Sequence, residues 1–92
     1  MVVSLALNQK FPKSISKDLH AGRRGKISLI MRREGLTVEG WYAVNPIDGR
    51  LAVTSRWKKF MDGTKLDIGS TINIKICRYL RCEMLVLKFL VV

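Results

Sequence analysis

Arg50-Leu-Ala-Val-Thr-Ser-Arg-Trp57-Lys-Lys-Phe60 carries the clearest structural signal in this chain. A short alternating strand runs straight into a short amphipathic helix. Period two puts Leu51 and Val53 on one face of the strand. Ser55 then stands where an N-cap belongs, able to accept from an orphan backbone N–H. Trp57, Phe60 and Met61 follow at i, i+3, i+4 and share one helix face, while Arg56, Lys58 and Lys59 fall on the other. One element therefore turns aromatic anchors inward and three cations outward, an arrangement suited to a polyanion.

Outward from this stretch the pattern is mostly β. Val2 to Leu7 reads as a strand, and Pro12 to His20 as a short helix with Pro12 in its first turn. Lys26 to Arg32 alternates with Ile27, Leu29 and Met31 inward. Gly35 marks a hairpin, and Thr37 to Val44 returns with Trp41 and Tyr42. Asn45-Pro-Ile-Asp-Gly49 is a turn cluster, since Asp-Gly supplies positive φ and Pro46 cannot donate to a ladder. Asp62-Gly63-Thr64 closes the second helix. Thr71 to Cys77 alternates Ile72, Ile74 and Ile76 with polar residues, Tyr79 to Arg81 turns, and Glu83 to Val91 forms a last strand. That strand is apolar on both faces, which predicts cover on both. The expected fold is a single domain, residues 1–92: mainly β, an open barrel of about six to seven strands with two short α-helices.

Ninety-two residues leave no room for a second core, and an apolar share of 48% is enough for one. Seventeen Lys and Arg against seven Asp and Glu give a net charge of +10. That excess points first to nucleic acid, then to anionic membrane, then to acidic proteins. Cys77 and Cys82 are too few for a disulfide framework and read as reduced thiols. With His20 as the single histidine they make a poor zinc site, so no metal or cofactor is expected. Met1 to Leu7 is too short for a signal-peptide core, and Met84 to Val92 falls far below the ~20 residues of a membrane span. A soluble intracellular protein with no membrane role is expected.

Catalytic chemistry finds no foothold. His20 beside Asp18 reads as a helix-terminal histidine rather than a general base. The acids are scattered, with no spacing that would couple a pair. No phosphate-binding glycine motif is present, and Gly22-Arg-Arg-Gly25 reads as a basic turn. The chain reads as neither an enzyme nor a small-molecule binder.

The order of these pieces resembles the plant-type B3 DNA-binding domain. Leu5-Ala-Leu7-Asn-Gln-Lys-Phe11 looks like the family's Leu-x-Ile/Leu-Pro-x-x-Phe. Trp41 lies in the strand before a basic turn, as the family's Trp does. Leu51 to Phe60 is similar to hydrophobic-x-Leu-x-x-Gly-Trp-x-x-Phe, and Leu66-Asp-Ile-Gly69-Ser70 to Leu-x-x-Gly-Asp. The likeness covers nearly the whole chain. Asn8 stands where the family has Pro, and Ser55 and Ser70 are read as replacing its Gly and Asp. The strand that precedes the Leu5 segment in the family's seven-stranded barrel is missing. Only Met1 to Ser4 remain where that strand's DNA-contacting arm would lie.

The resemblance implies a nuclear transcriptional regulator that grips the major groove of double-stranded DNA. Its second arm maps onto Asn45 to Arg50, making Asn45, Asp48, Gly49 and Arg50 base-contacting candidates, with Ser4 from the shortened first arm. Arg would prefer guanine and Asn adenine. Lys10, Lys13, Arg56, Lys58 and Lys59 are the phosphate-contacting candidates, giving register and affinity rather than sequence. Arg32, Arg33, Arg78 and Arg81 read as turn and edge charges that discourage aggregation. Trp41, Trp57 and Phe60 are expected in the core. Two alternatives remain open. One is a basic barrel binding RNA or single strands, which would require Trp41 or Trp57 to be exposed. The other is a protein partner or homodimer, joined through a sheet edge left unpaired beside Met84 to Val92.

Overall fold

The computed structural model describes residues 2–6, 9–13, 23–79 and 84–91. Six strands form one sheet: β1 (Val2–Ser4), β2 (Arg24–Met31), β3 (Leu36–Val44), β4 (Leu51–Val53), β5 (Thr71–Tyr79) and β6 (Met84–Val91). One helix, α1 (Trp57–Thr64), and a 3-10 turn at Arg32–Glu34 complete the described elements. The helix expected at 12–20 lies almost wholly outside the described residues. The strand order is β1-β5-β6-β2-β3-β4, so the sheet curls into the expected open barrel. Every pair is antiparallel except β2 with β6.

Period two explains the core. Ile27, Leu29 and Met31 of β2, Ile72 and Ile74 of β5, and Leu85, Leu87 and Phe89 of β6 all point into the concave side and are buried. Trp57 and Phe60 of α1 cap that side. Their rings join Phe11 and Phe89 in one cluster with centroid separations of 4.7 to 6.4 Å. Each such pair adds about 0.5–1.5 kcal/mol beyond area burial.

The last strand sits in the middle of the sheet, with β5 on one side and β2 on the other. β6 is therefore paired on both sides instead of lying beside an unpaired edge, and among the described residues the sheet's edges are the three-residue strands β1 and β4. Cover on the outer face of β6 is uneven: Val86 is buried, whereas Leu90 is 41% exposed. Smaller differences are the early end of β1 at Ser4, the start of β2 at Arg24, and β5 continuing through Tyr79, where a turn was expected.

The chain after β1 links the two edges. Leu5 exchanges backbone bonds with the start of β5: its N–H donates to Ser70 O and its carbonyl accepts from Gly69 N, at 2.8 and 2.7 Å. Five residues on, Lys10 bridges Ala52, and Phe11 N–H donates to Leu51 O at 2.8 Å. This strap is held from inside by Trp57, whose Nε1–H donates to Ala6 O at 3.0 Å. Buried Gln9 accepts from Ala6 N–H and donates to Lys10 O, so no polar cost is left standing. The strap places Lys10 and Lys13 beside β4 and the loop before it.

Candidate nucleic-acid interface

Asn45 to Arg50 connects β3 to β4 as a tight, self-bonded loop. Asn45 N–H donates to Arg50 O at 3.0 Å, and Gly49 N–H to Asn45 O at 2.8 Å. Asn45 Oδ1 accepts from Ile47 N–H, and Asp48 Oδ1 from Arg50 N–H, the Asx turns that such residues favour. Gly49 has φ 69, a left-handed conformation that suits glycine, and the Lys13 side chain lies against it. The Arg50 guanidinium reaches back to the strap, where Nε and Nη2 donate to the carbonyls of Phe11 and Lys10, both at 3.2 Å. Neither bond uses Nη1. The aliphatic side chain of Ile47 stands out from the loop, 94% exposed.

Of the ten candidate side chains, most converge here. A groove of about 390 Å³ runs between the strap, β4 and the start of α1, lined by Lys10, Thr54, Arg56 and Lys58 among others. A second, of about 380 Å³, lies between β4 and the loop, lined by Lys10, Ala43, Asn45, Ile47, Arg50 and Ala52. The two grooves share Lys10 and Ala52, carry four cations between them, and contain no carboxylate in their walls. Lys59 is exposed on α1 but lines neither groove. Ser4 lies on β1, at the other edge of the sheet, and donates to Gly69 O at 3.4 Å, so it is not brought to the site.

Ser55 does not cap α1. Its Oγ turns sideways and accepts from Trp41 N–H at 3.1 Å. Arg56 is the N-cap, with φ 64 and no side-chain cap bond, and its carbonyl accepts the first helical bond from Phe60 N–H. The residue immediately before Trp57 is thus left-handed. Arg56 holds a φ of 64, a conformation that glycine adopts without steric cost.

Trp57 is buried as expected, at 6%, but Trp41 is 51% exposed. Trp41 points to the outer face of β3, in phase with exposed Thr37 and Glu39, while Val38 and Tyr42 take the inner positions. Lys26, its cross-strand partner, holds its Nζ 5.8 Å from the centre of the indole. Thr54, which lines the first groove, donates both its N–H and its Oγ1–H to Trp41 O. Trp41 is thus tied through its backbone carbonyl to a residue of the first groove, while its side chain lines neither groove.

One further feature was not anticipated. Lys75 and Lys88 stand directly opposite each other on the outer face of β5 and β6, a like-charge pair that costs stability. The register of two such lysines cannot be read before the strand pairing is known. Arg33 forms an ion pair with Glu34, and the described residues contain no group of three or more His, Cys, Asp or Glu that could hold a metal ion. Cys77 carries a free thiol, and no described helix is long and apolar enough to cross a membrane. No protein-family model, curated protein or solved structure matches this chain.

Proposed function

We propose that this chain is a B3-like reader of double-stranded DNA that works within a nuclear transcriptional regulator. The observation that carries the reading is the pair of adjoining grooves around a rigid loop, with Lys10, Arg50, Arg56 and Lys58 in their walls and no acid among them. A duplex backbone laid along β4 would place phosphates against Lys10, Arg56 and Lys58, with Lys13 beside the loop. Each neutralised phosphate releases counterion, so affinity falls steeply with salt.

The loop would enter the major groove. Arg50 is the reader in this scheme: the strap carbonyls aim its guanidinium, and Nη1 is left for guanine O6 or N7. Asn45 keeps its amide N–H donors, although its oxygen is engaged by Ile47 N–H. Asp48 fixes the Arg50 backbone and is better suited to shaping the loop than to touching DNA. Ile47 can meet a thymine methyl.

The test is selection from a random duplex pool, then binding of the winners and a scrambled duplex across a salt series. One enriched short motif, bound well above scrambled DNA, is expected. Steep salt dependence with no enriched motif would refute sequence reading by this loop.

A further inference from the structure

We infer that the face carrying Trp41 is a second nucleic-acid site, built for an unpaired strand, with one base stacked on the indole and flanking phosphates held by Lys26, Arg24 and Lys10. The register supplies the site. Lys10 bridges Ala52, Ala52 pairs with Ala43, and Ala43 pairs with Arg24. Directly opposed residues of a ladder share a face, so these four form one row across the outer side of the sheet. Its ends are cationic and its middle is two methyl groups, where a sheet surface ordinarily carries larger side chains. With strands about 4.8 Å apart, the row spans roughly 14 Å.

The next row, one pleat along, holds Trp41 and Lys26. The alanines thus form a shallow floor with the half-exposed indole on one side and the Asn45–Arg50 loop on the other. An extended strand fits it: the indole offers a π surface that any base can use, and the cations at both ends of the row meet successive phosphates. Lys26, now resting over the ring, would exchange that cation–π contact for a phosphate when a base arrives. Glu39 is the one carboxylate beside Trp41 on the outer face of β3, and it lies on the side away from the alanine row.

This site shares Lys10 with the duplex reading, but Trp41 and Lys26 line neither groove of that reading, so a test built on them separates the two. A short oligothymidylate and the matching oligouridylate are titrated into the full chain at low salt, following tryptophan emission. The expected result is quenching of the exposed indole and binding whose affinity falls by roughly 5- to 150-fold in Trp41→Ala, with Trp41→Phe near wild type. Lys26→Ala should weaken binding a few-fold and flatten the salt slope by about 0.7. Trp57 is the remaining fluorophore in Trp41→Ala, and its emission reports whether the core is intact. Preference for one oligonucleotide over the other identifies RNA or DNA as the natural strand. Unchanged single-strand affinity in Trp41→Ala, or no binding of either oligonucleotide by wild type, would overturn the inference. The selected duplex should bind Trp41→Ala as well as wild type, so failure of the duplex selection leaves this result untouched.

Discussion

Gly40→Ala should be among the most damaging single-methyl changes available in this chain. Gly40 faces inward on β3, and the chain leaving β4 passes directly over it. A Cβ built there would lie 2.4 Å from Ser55 O and 3.3 Å from Ser55 Oγ. The obstructing atom is a backbone carbonyl, which cannot rotate away as the end of a side chain can. Reaching a tolerable separation requires the Ser55 segment to move by roughly 0.6–1 Å, on the scale at which overpacking costs about 1–3 kcal/mol. The same displacement pulls on three bonds that tie β3 to this crossing. They are Trp41 N–H to Ser55 Oγ at 3.1 Å, Thr54 N–H to Trp41 O at 2.8 Å, and Thr54 Oγ1–H to Trp41 O at 3.2 Å. Each contributes about 0.5–1.5 kcal/mol.

Partial loss of the three brings the expected total to about 2–5 kcal/mol, a large part of the 5–15 kcal/mol typical of a domain. The assay is equilibrium urea unfolding followed by tryptophan emission and circular dichroism, with the slope required to match wild type. Gly63→Ala is the control. Its Cβ would meet Leu36 Cδ2 at 2.7 Å, a movable methyl, and the substitution gains about 1 kcal/mol of helix propensity, so its net effect should be small. A loss below about 0.5 kcal/mol for Gly40→Ala, or equal losses for the two variants, would refute the claim that this crossing is held by close backbone approach.

Other substitutions probe the site and its frame. Arg56→Gly should leave stability unchanged or raise it by up to about 1 kcal/mol, because glycine removes the left-handed strain while loosening the unfolded chain. The same variant should bind duplex more weakly, with the salt slope reduced by about 0.9, as read by fluorescence anisotropy. Arg50→Ala should lower the ratio of specific to scrambled binding and also cost about 1–2 kcal/mol in urea unfolding, because it removes the Arg50 donors from the Phe11 carbonyl and from Lys10 O, which keeps its Gln9 donor. Lys75→Glu should stabilise by about 0.5 kcal/mol through reversal of the like-charge pair with Lys88, seen as a higher urea midpoint.

The period-two pattern made the architecture legible. Ile27, Leu29 and Met31, and Ile72 and Ile74, announce buried faces because they alternate with the polar residues Lys26 and Ser28 in one strand and Thr71, Asn73 and Lys75 in the other. The same rule, applied one residue further, would have found the exposed indole. Trp41 and Tyr42 are adjacent in a strand, so only one can face in. Tyr42 is in phase with Val38, whereas Trp41 is in phase with Thr37 and Glu39. Placing Trp41 in the core overrides that parity on size and hydrophobicity alone. Ser55 was misread for a different reason. A serine two residues before an aromatic helix face looks like a cap locally, but the Trp41 amide, brought there by the β3–β4 pairing, claims its hydroxyl. The place of β6 between β2 and β5 rests on a parallel pairing between segments more than fifty residues apart, and no local signal carries that information.

The loop residues separate two roles that a motif merges. Asn45, Asp48 and Gly49 are the residue types expected of a base-reading turn, and the same chemistry that suits them to bases suits them to folding the turn. Here one oxygen of each Asx side chain is spent on the backbone two residues ahead, and the glycine supplies φ 69. What the turn presents outward is Arg50 Nη1 and the Ile47 side chain. A guanidinium fixed by two carbonyls loses little freedom on meeting a guanine edge, so recognition through Arg50 needs less ordering than through a free side chain. Exchange of Arg50 for Lys keeps the charge but cannot occupy both strap carbonyls with the same planar fork. Arg50→Lys should therefore retain the salt slope of wild type on scrambled duplex while losing most discrimination for the selected motif. Equal discrimination by Arg50→Lys and wild type would mean that charge alone, and not the latched guanidinium, underlies whatever reading this loop performs.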